Sequence, residues 1–199
     1  VSVRLWLVGA AVLLIGAVGV AGADPSIGIE WEHASPIDWH LFQATPPPNA
    51  ARLSEAAAIH MTIHWHASYV LSPSGSIWIG RVDAVTVTNT ISPARSWVVP
   101  GRACPEVLRH EQGHFDLNEV YRRKLAILLP SLTSQGRTSD EAQRTLDAQL
   151  HRAASDVLAR LEELQTRYDA ETSHGTDRAA QAAWAETLAA WLLRPASAP

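Results

Sequence analysis

Pro105-Glu106-Val107-Leu108-Arg109-His110-Glu111-Gln112-Gly113-His114-Phe115-Asp116-Leu117 is the stretch on which the fold turns. Two histidines four residues apart on a helix lie one above the other on the same face. Their imidazole nitrogens then converge on one divalent ion, for which Zn²⁺ is the expected occupant. Glu111 falls beside that point rather than on it. It is placed to take a proton from a water that the ion activates. The chain has nine histidines, so the five-residue motif needs support from its surroundings.

The surroundings predict a helix from Pro105 to Leu129. Proline suits the first helical position, and Glu106 complements the positive end of the helix dipole. Leu117 and Tyr121 extend the stripe of His110 and His114 at helical steps, which turns the pair inward. Gly113 in mid-helix costs about 1 kcal/mol relative to alanine. A close approach by another segment is the physical reason to keep it. Pro130 ends the helix. Cys104 precedes the helix start, too far below the histidines to serve as a ligand, and reads as a small packing residue.

Upstream, Asp24 to Ala50 is rich in proline and tryptophan and predicts loops with short extended pieces. Ala58 to Val70 alternates, with Ile59, Met61, Ile63 and Trp65 on one face and His60, Thr62, His64 and His66 on the other. That is a half-buried strand with a solvated polar face. A turn at Leu71 to Ser76 leads to a strand-rich run from Ile77 to Ile91, completing a hairpin or meander. Downstream, Thr138-Ser139-Asp140-Glu141 matches a capping box. It opens a helix to about Tyr168 with Leu146, Leu150, Val157, Leu161 and Leu164 on its buried stripe. A polar break from Asp169 to Thr176 precedes a last helix, Asp177 to Leu193. The expected class is α+β and zincin-like. A small antiparallel sheet of about three or four strands precedes the metal helix and two further helices.

A hydrolytic zinc site needs a third protein ligand and one open position. No histidine follows His114 at short spacing, so the ligand must come from afar. His174, followed by Gly175, is the first choice, with Asp169 and Glu171 next. Glu141 belongs to the capping box, and His151 falls on a boundary face. The plain alternative is that the break merely caps the last helix through Ser173 or Thr176. Asp116, Glu119, Asp169 and Glu171 are candidates to receive the outer N–H of a ligating histidine. Tyr168 and Tyr121 are candidate oxyanion donors.

Arg4, the apolar run Leu5 to Val20, and Ala21-Gly22-Ala23 before Asp24 read as a secretory leader over residues 1–23. Residues 24–194 form one domain, and 195–199 a disordered tail. Removing the leader takes one base, leaving 15 bases against 20 acids. The expected location is secreted or periplasmic. An uncleaved leader would instead anchor the domain at the inner membrane, facing the periplasm. Hydrophobic residues make up 47% and charged residues 18% of the chain, which excludes a disordered class. A net charge of −4 argues against nucleic acid as a partner. A single cysteine excludes an internal disulfide, so packing and metal must supply the stability.

The run His110 to Leu117, followed by Glu119 and Arg122-Arg123-Lys124-Leu125, resembles a bacterial family of predicted secreted zinc-dependent proteases, a domain-of-unknown-function family regarded as a minimal zincin. Three further stretches are similar: Ile37 to Phe42 with its trailing prolines, Ser96-Trp97, and Tyr168 to Gly175 with Gln181 and Trp184 after it. The resemblance spans about Trp31 to Trp184. It implies a zincin-like α+β fold, one zinc ion and a peptide or protein substrate, and it adds weight to the Tyr168-to-Gly175 segment. The expected activity is peptide hydrolysis with Glu111 as general base and His110, His114 and His174 as ligands. The competing readings are a non-catalytic zinc-binding protein of the cell envelope and a hydrolase of a cell-wall amide.

Overall fold

The structure, a computed structural model, describes residues 28–32, 35–50 and 55–199, together with the backbone of residues 3–13. It is an α+β protein. Strands β1 (Val3–Leu13), β2 (Ile29–Glu30), β3 (Ala57–Ala58), β4 (Met61–Ser74), β5 (Ile77–Ile91) and β6 (Trp97–Val98) precede helix α1 (Pro105–Leu128). Strand β7 (Thr133–Gly136) and helices α2 (Ser139–Thr172) and α3 (Arg178–Leu193) follow. The main sheet is antiparallel, in the order β1-β4-β5-β2, with β7 also pairing with β5. It therefore has one strand more than the upper end of the expected range. Strands β3 and β6 form a separate two-stranded ladder beside α1.

The β4–β5 hairpin is the backbone of the sheet, paired from Met61↔Ile91 to Ser74↔Ile77 with an irregularity at Ser68/Tyr69. Alternation aims Ile63, Trp65, Ala67, Tyr69 and Leu71 into the core. There they join Leu117, Tyr121 and Leu125 of α1 and Leu146, Leu150 and Leu161 of α2. Burying each such side chain contributes about 1.5–3 kcal/mol, so this interlayer fixes how α1 lies on the sheet. The polar face of β4 is less solvated than alternation suggests, since Thr62 and Ser68 are buried, as is His60 just before the strand. A second cluster of Ile37, Phe42, Ile59, Met61, Ile91 and Phe115 seats the N-terminal loops against the first turns of α1.

Strand β7 has no counterpart in the sequence reading. Thr133-Ser134-Gln135-Gly136 lacks apolar alternation, and it is held by pairing with β5 and by the Ser134 hydroxyl donating to Ala142 C=O at 2.6 Å. Helix α2 opens as its sequence predicts, with Thr138 Oγ1 accepting from Glu141 N–H at 3.2 Å. It runs one turn beyond Tyr168, so Asp169 and Glu171 belong to the helix and not to a loop. The cap of α3 is Asp177, accepting from the N–H groups of Ala179 and Ala180 at 3.0 Å each, in place of Ser173 or Thr176. The expected disordered tail is seated: Pro195–Ser197 forms a helical turn, Ala198 is buried, and Lys124 Nζ donates to Ala198 C=O at 2.8 Å.

Residues 3–13 of the expected leader lie antiparallel along β4, and the rest of that leader falls outside the described residues. Among the described residues no helix is long and apolar enough to cross a membrane.

Candidate metal centre

Helix α1 delivers His110, Glu111 and His114 to one place, all of them buried. Across from them lies the last stretch of α2. Gln165, Tyr168, Asp169 and Thr172 recur there at three- and one-residue steps and so share one helix face. The two helices approach closely because Gly113 has no side chain. A Cβ there would run into the Tyr168 ring, whose Cζ is 2.7 Å from that point. The close approach expected from Gly113 is thus that of Tyr168. Its ring stacks on His110 at 4.8 Å between centroids and 13° between planes, which fixes the imidazole's orientation.

Three atoms converge in the gap. Asp169 Oδ1 is 3.0 Å from His110 Nε2 and 2.9 Å from His114 Nε2, and the two Nε2 atoms are 3.2 Å apart. A tetrahedral zinc at about 2.0–2.1 Å from each donor would set them roughly 3.3 Å apart. The donor set and its spacing therefore fit such an ion after a shift of a few tenths of an ångström. His174 stands outside this triangle, with Nδ1 3.6 Å from Asp169 Oδ1 and its side chain 44% exposed. His110, Asp169 and His174 also form a looser group, whose donor atoms all lie within 4.8 Å of one another and could hold a metal ion. Asp169 is thus the group nearest the histidine pair, and His174 lies beside it on the open side. There the backbone takes the left-handed conformation at Ser173, His174 and Gly175, with φ of 49°, 52° and 80°. Gly175 suits this turn, because a side chain there would also crowd His110 Cβ.

The electrostatics follow from burial and these contacts. Burial alone would raise the Asp169 carboxyl, but the two histidines outweigh it and hold that carboxyl well below the usual range. Burial pushes His110 down, against the pull of Asp169. For His114 burial acts the same way but is overcome by Asp169 and Glu111, so its affinity for a proton rises. Burial pushes Glu111 up to about 7 despite His114 and the Ile59 N–H, which donates to its Oε2 at 2.9 Å. A carboxylate that exchanges its proton near neutrality is suited to general acid–base work.

The cleft in front of these groups is lined by Glu55, Ala56, Ala57, Ala58, Ile59, Val107 and His174. A larger groove of about 990 Å³ lies between α1 and α3 behind the site, and none of His110, Glu111, His114 or Asp169 lines it.

Several expected residues lie elsewhere. Asp116 accepts from Trp31 Nε1 at 2.7 Å and from Gln112 Nε2 at 2.8 Å, so it anchors the N-terminal loop. Glu119 is held by Arg122 and Arg123 on the far side of α1. Glu171 pairs with Arg167 and accepts from Trp184 Nε1 at 2.9 Å, which pins α3 to α2. Neither tyrosine is placed as an oxyanion donor: Tyr168 Oη donates to His110 C=O at 3.1 Å and Tyr121 Oη to Pro199 C=O at 2.7 Å. Gln165, Thr172 and Glu55 had no assigned role in the sequence. The polar stripe Gln165-Tyr168-Asp169-Thr172 on an otherwise apolar helix face was the readable sign of the first two.

No curated protein matches this chain, and no solved structure does. A family profile described as "Bacterial protein of unknown function (DUF922)" matches residues 37–175, which span every residue of the triangle, Glu111 and His174. The chain belongs to that bacterial family.

Proposed function

We propose that this chain is a zinc-dependent peptidase in which His110, His114 and Asp169 hold the ion and Glu111 is the general base. The observation that carries the reading is the triangle of two imidazole nitrogens and one carboxylate oxygen at 2.9–3.2 Å, beside a buried carboxyl poised at about 7. Zinc held there supplies Lewis acidity, making water a nucleophile near neutral pH and polarising the carbonyl under attack. Glu111 accepts the proton of the attacking water and delivers it to the leaving amine. The Ile59 N–H keeps the Glu111 carboxylate turned toward the cleft. His174, exposed at the mouth, is the side chain best placed to donate to the developing oxyanion.

An extended peptide is the favoured substrate because of β3. Val99 N–H donates to Ala56 C=O, and Ala57 stands opposite Val98. The alternation of an antiparallel ladder then turns the N–H and C=O of Ala57 away from β6, on the side that borders the cleft. A substrate strand can pair there. The leader pattern at residues 1–23 supports action outside the cytoplasm. A cell-wall amide would use the same chemistry, and a panel of peptides and cell-wall fragments separates the two.

The purified protein, stripped with chelator and reloaded with zinc, should cleave unstructured peptides only when loaded. Glu111→Gln should keep the zinc and lose the cleavage; full zinc-dependent cleavage by that variant would sink the mechanism. A second reading is a closed, non-catalytic site with His174 as fourth ligand, which the 3.6 Å approach to Asp169 favours. In that case His174→Ala should weaken zinc as strongly as His110→Ala does.

A further inference from the structure

Behind each of the two histidines stands a glutamine amide, and in both cases the rest of the network dictates which way the amide points. Gln165, 1% exposed, donates its Nε2 protons to His114 C=O and to Asn118 Oδ1, at 3.0 Å each. Only its oxygen remains to face His114 Nδ1, 2.5 Å away. The second case reaches the same result through Tyr168. His110 C=O can only accept, so the Tyr168 hydroxyl spends its proton there, at 3.1 Å. That hydroxyl must then accept from Gln181 Nε2, at 2.5 Å. Gln181 Oε1 is thereby turned to His110 Nδ1, at 3.2 Å. Thr172 agrees: its hydroxyl donates to Tyr168 C=O at 2.7 Å and offers a lone pair to the same Nδ1 at 3.4 Å. Every group facing either Nδ1 is an acceptor.

We infer that Gln165 and Gln181 are positioning residues that accept the Nδ1 protons of His114 and His110 when an ion is held, leaving both Nε2 lone pairs for the ion they share with Asp169. This rests on the metal reading above and deepens it. The choice of an amide has a chemical consequence. A carboxylate in that place would draw the Nδ1 proton and pass negative charge to the ring. An amide fixes the ring with no charge of its own. Asp169 is then the one anion in the triangle, and a divalent ion there keeps a net positive charge for polarising a carbonyl. The two amides come from different helices. Gln181 sits on α3, which Trp184 binds to α2 through Glu171. The docking of α3 is thus part of what orients His110.

The test uses the full chain and two readouts. Long-range ¹H–¹⁵N spectra of the zinc-loaded protein report how well each histidine Nδ1 proton is held against exchange. Competition with a chromophoric chelator reports zinc affinity. Wild type should show slowly exchanging Nδ1 protons at both His110 and His114. Gln181→Met and Gln165→Met, which keep the shape and remove the acceptor, should speed that exchange at His110 and His114 respectively. Each should weaken zinc about 10–100-fold. Gln181→Glu, which restores an acceptor, should recover the affinity. Thermal melts identify a variant that fails to fold. Because Gln165 is buried, the half-exposed Gln181 pair of variants is sufficient alone. The proposal is overturned by freely exchanging Nδ1 protons in the wild type, or by Met variants that bind zinc as the wild type does. Failure of the metal reading looks different: His114→Ala would bind zinc as tightly as the wild type.

Discussion

Two groups of histidines lie close together in the chain, and only one converges. On α1, His110 and His114 are four residues apart and bring their Nε2 atoms to 3.2 Å. His64 and His66 share a face of β4, with His60 just before the strand, and residues two apart there are separated by about 7 Å. The helical pair meets a carboxylate from α2 and an amide on each outer nitrogen. His60 is buried with its Nε2 unpartnered, and burial with Arg95 nearby pushes it down to about 4. Histidine spacing alone therefore does not make a metal site. Convergence needs the 3.6-residue period together with an anion brought from elsewhere in the chain.

The comparison can be broken most sharply at its anion. His114→Ala or Asp169→Ala should weaken zinc by more than about 100-fold, beyond what losing an outer partner costs, and should stop hydrolysis. Equilibrium dialysis with metal analysis reads the first effect and peptide cleavage the second. A variant Asp169→Ala that bound zinc normally would return the third position to His174. Next in size, Glu111→Gln should cut hydrolysis about 100- to 10,000-fold with zinc stoichiometry unchanged. Gly113→Ala should destabilise the fold by about 1–3 kcal/mol through the Tyr168 contact, measured by denaturant unfolding. A full-strength, normally active variant would remove that contact as the reason for the glycine.

The strand set predicts a smaller, pH-dependent effect. His60 is kept neutral in the folded protein down to about 4, against 6.5 for a free imidazole. Its contribution is whole above pH 6.5 and disappears as the pH falls from there to about 4. Acid should therefore cost about 1–2 kcal/mol at this residue, a loss that His60→Leu would spare in a pH series of melts. The smallest effect is none: His64→Ala and His66→Ala should leave zinc binding unchanged. A measurable loss in either would mean that β4 contributes a ligand after all.

Much of the frame was legible because it rests on local periodicity. Helix α1 ends one residue from its expected limit, and α2 and α3 follow their apolar stripes and caps. The alternation of β4 held for Ile63 and Trp65. What was not legible depends on partners distant in the chain. Strand β7 has a polar sequence and exists because β5 pairs with it. The tail is ordered by Lys124 and Tyr121, some 75 residues earlier, so its own composition is silent. Asp169 was weighed as an alternative ligand, but the polar residues around it imitated a break. Continuation of α2 by one further turn puts Asp169 on the face of Gln165 and Tyr168. A helix end carries no sequence mark that separates a final turn from a loop when the residues are Asp-Ala-Glu-Thr.

The separations within the site bear on the order of events in the life of the chain. His110 reaches Asp169 across 59 residues and Gln181 across 71, and His114 reaches Gln165 across 51. None of these contacts forms until the sheet, α1 and the whole of α2 have been made and docked. A chain made only as far as α1 has its paired histidines but no anion, no amide on either ring and no buried base. The centre is completed only when the two C-terminal helices have docked on α1.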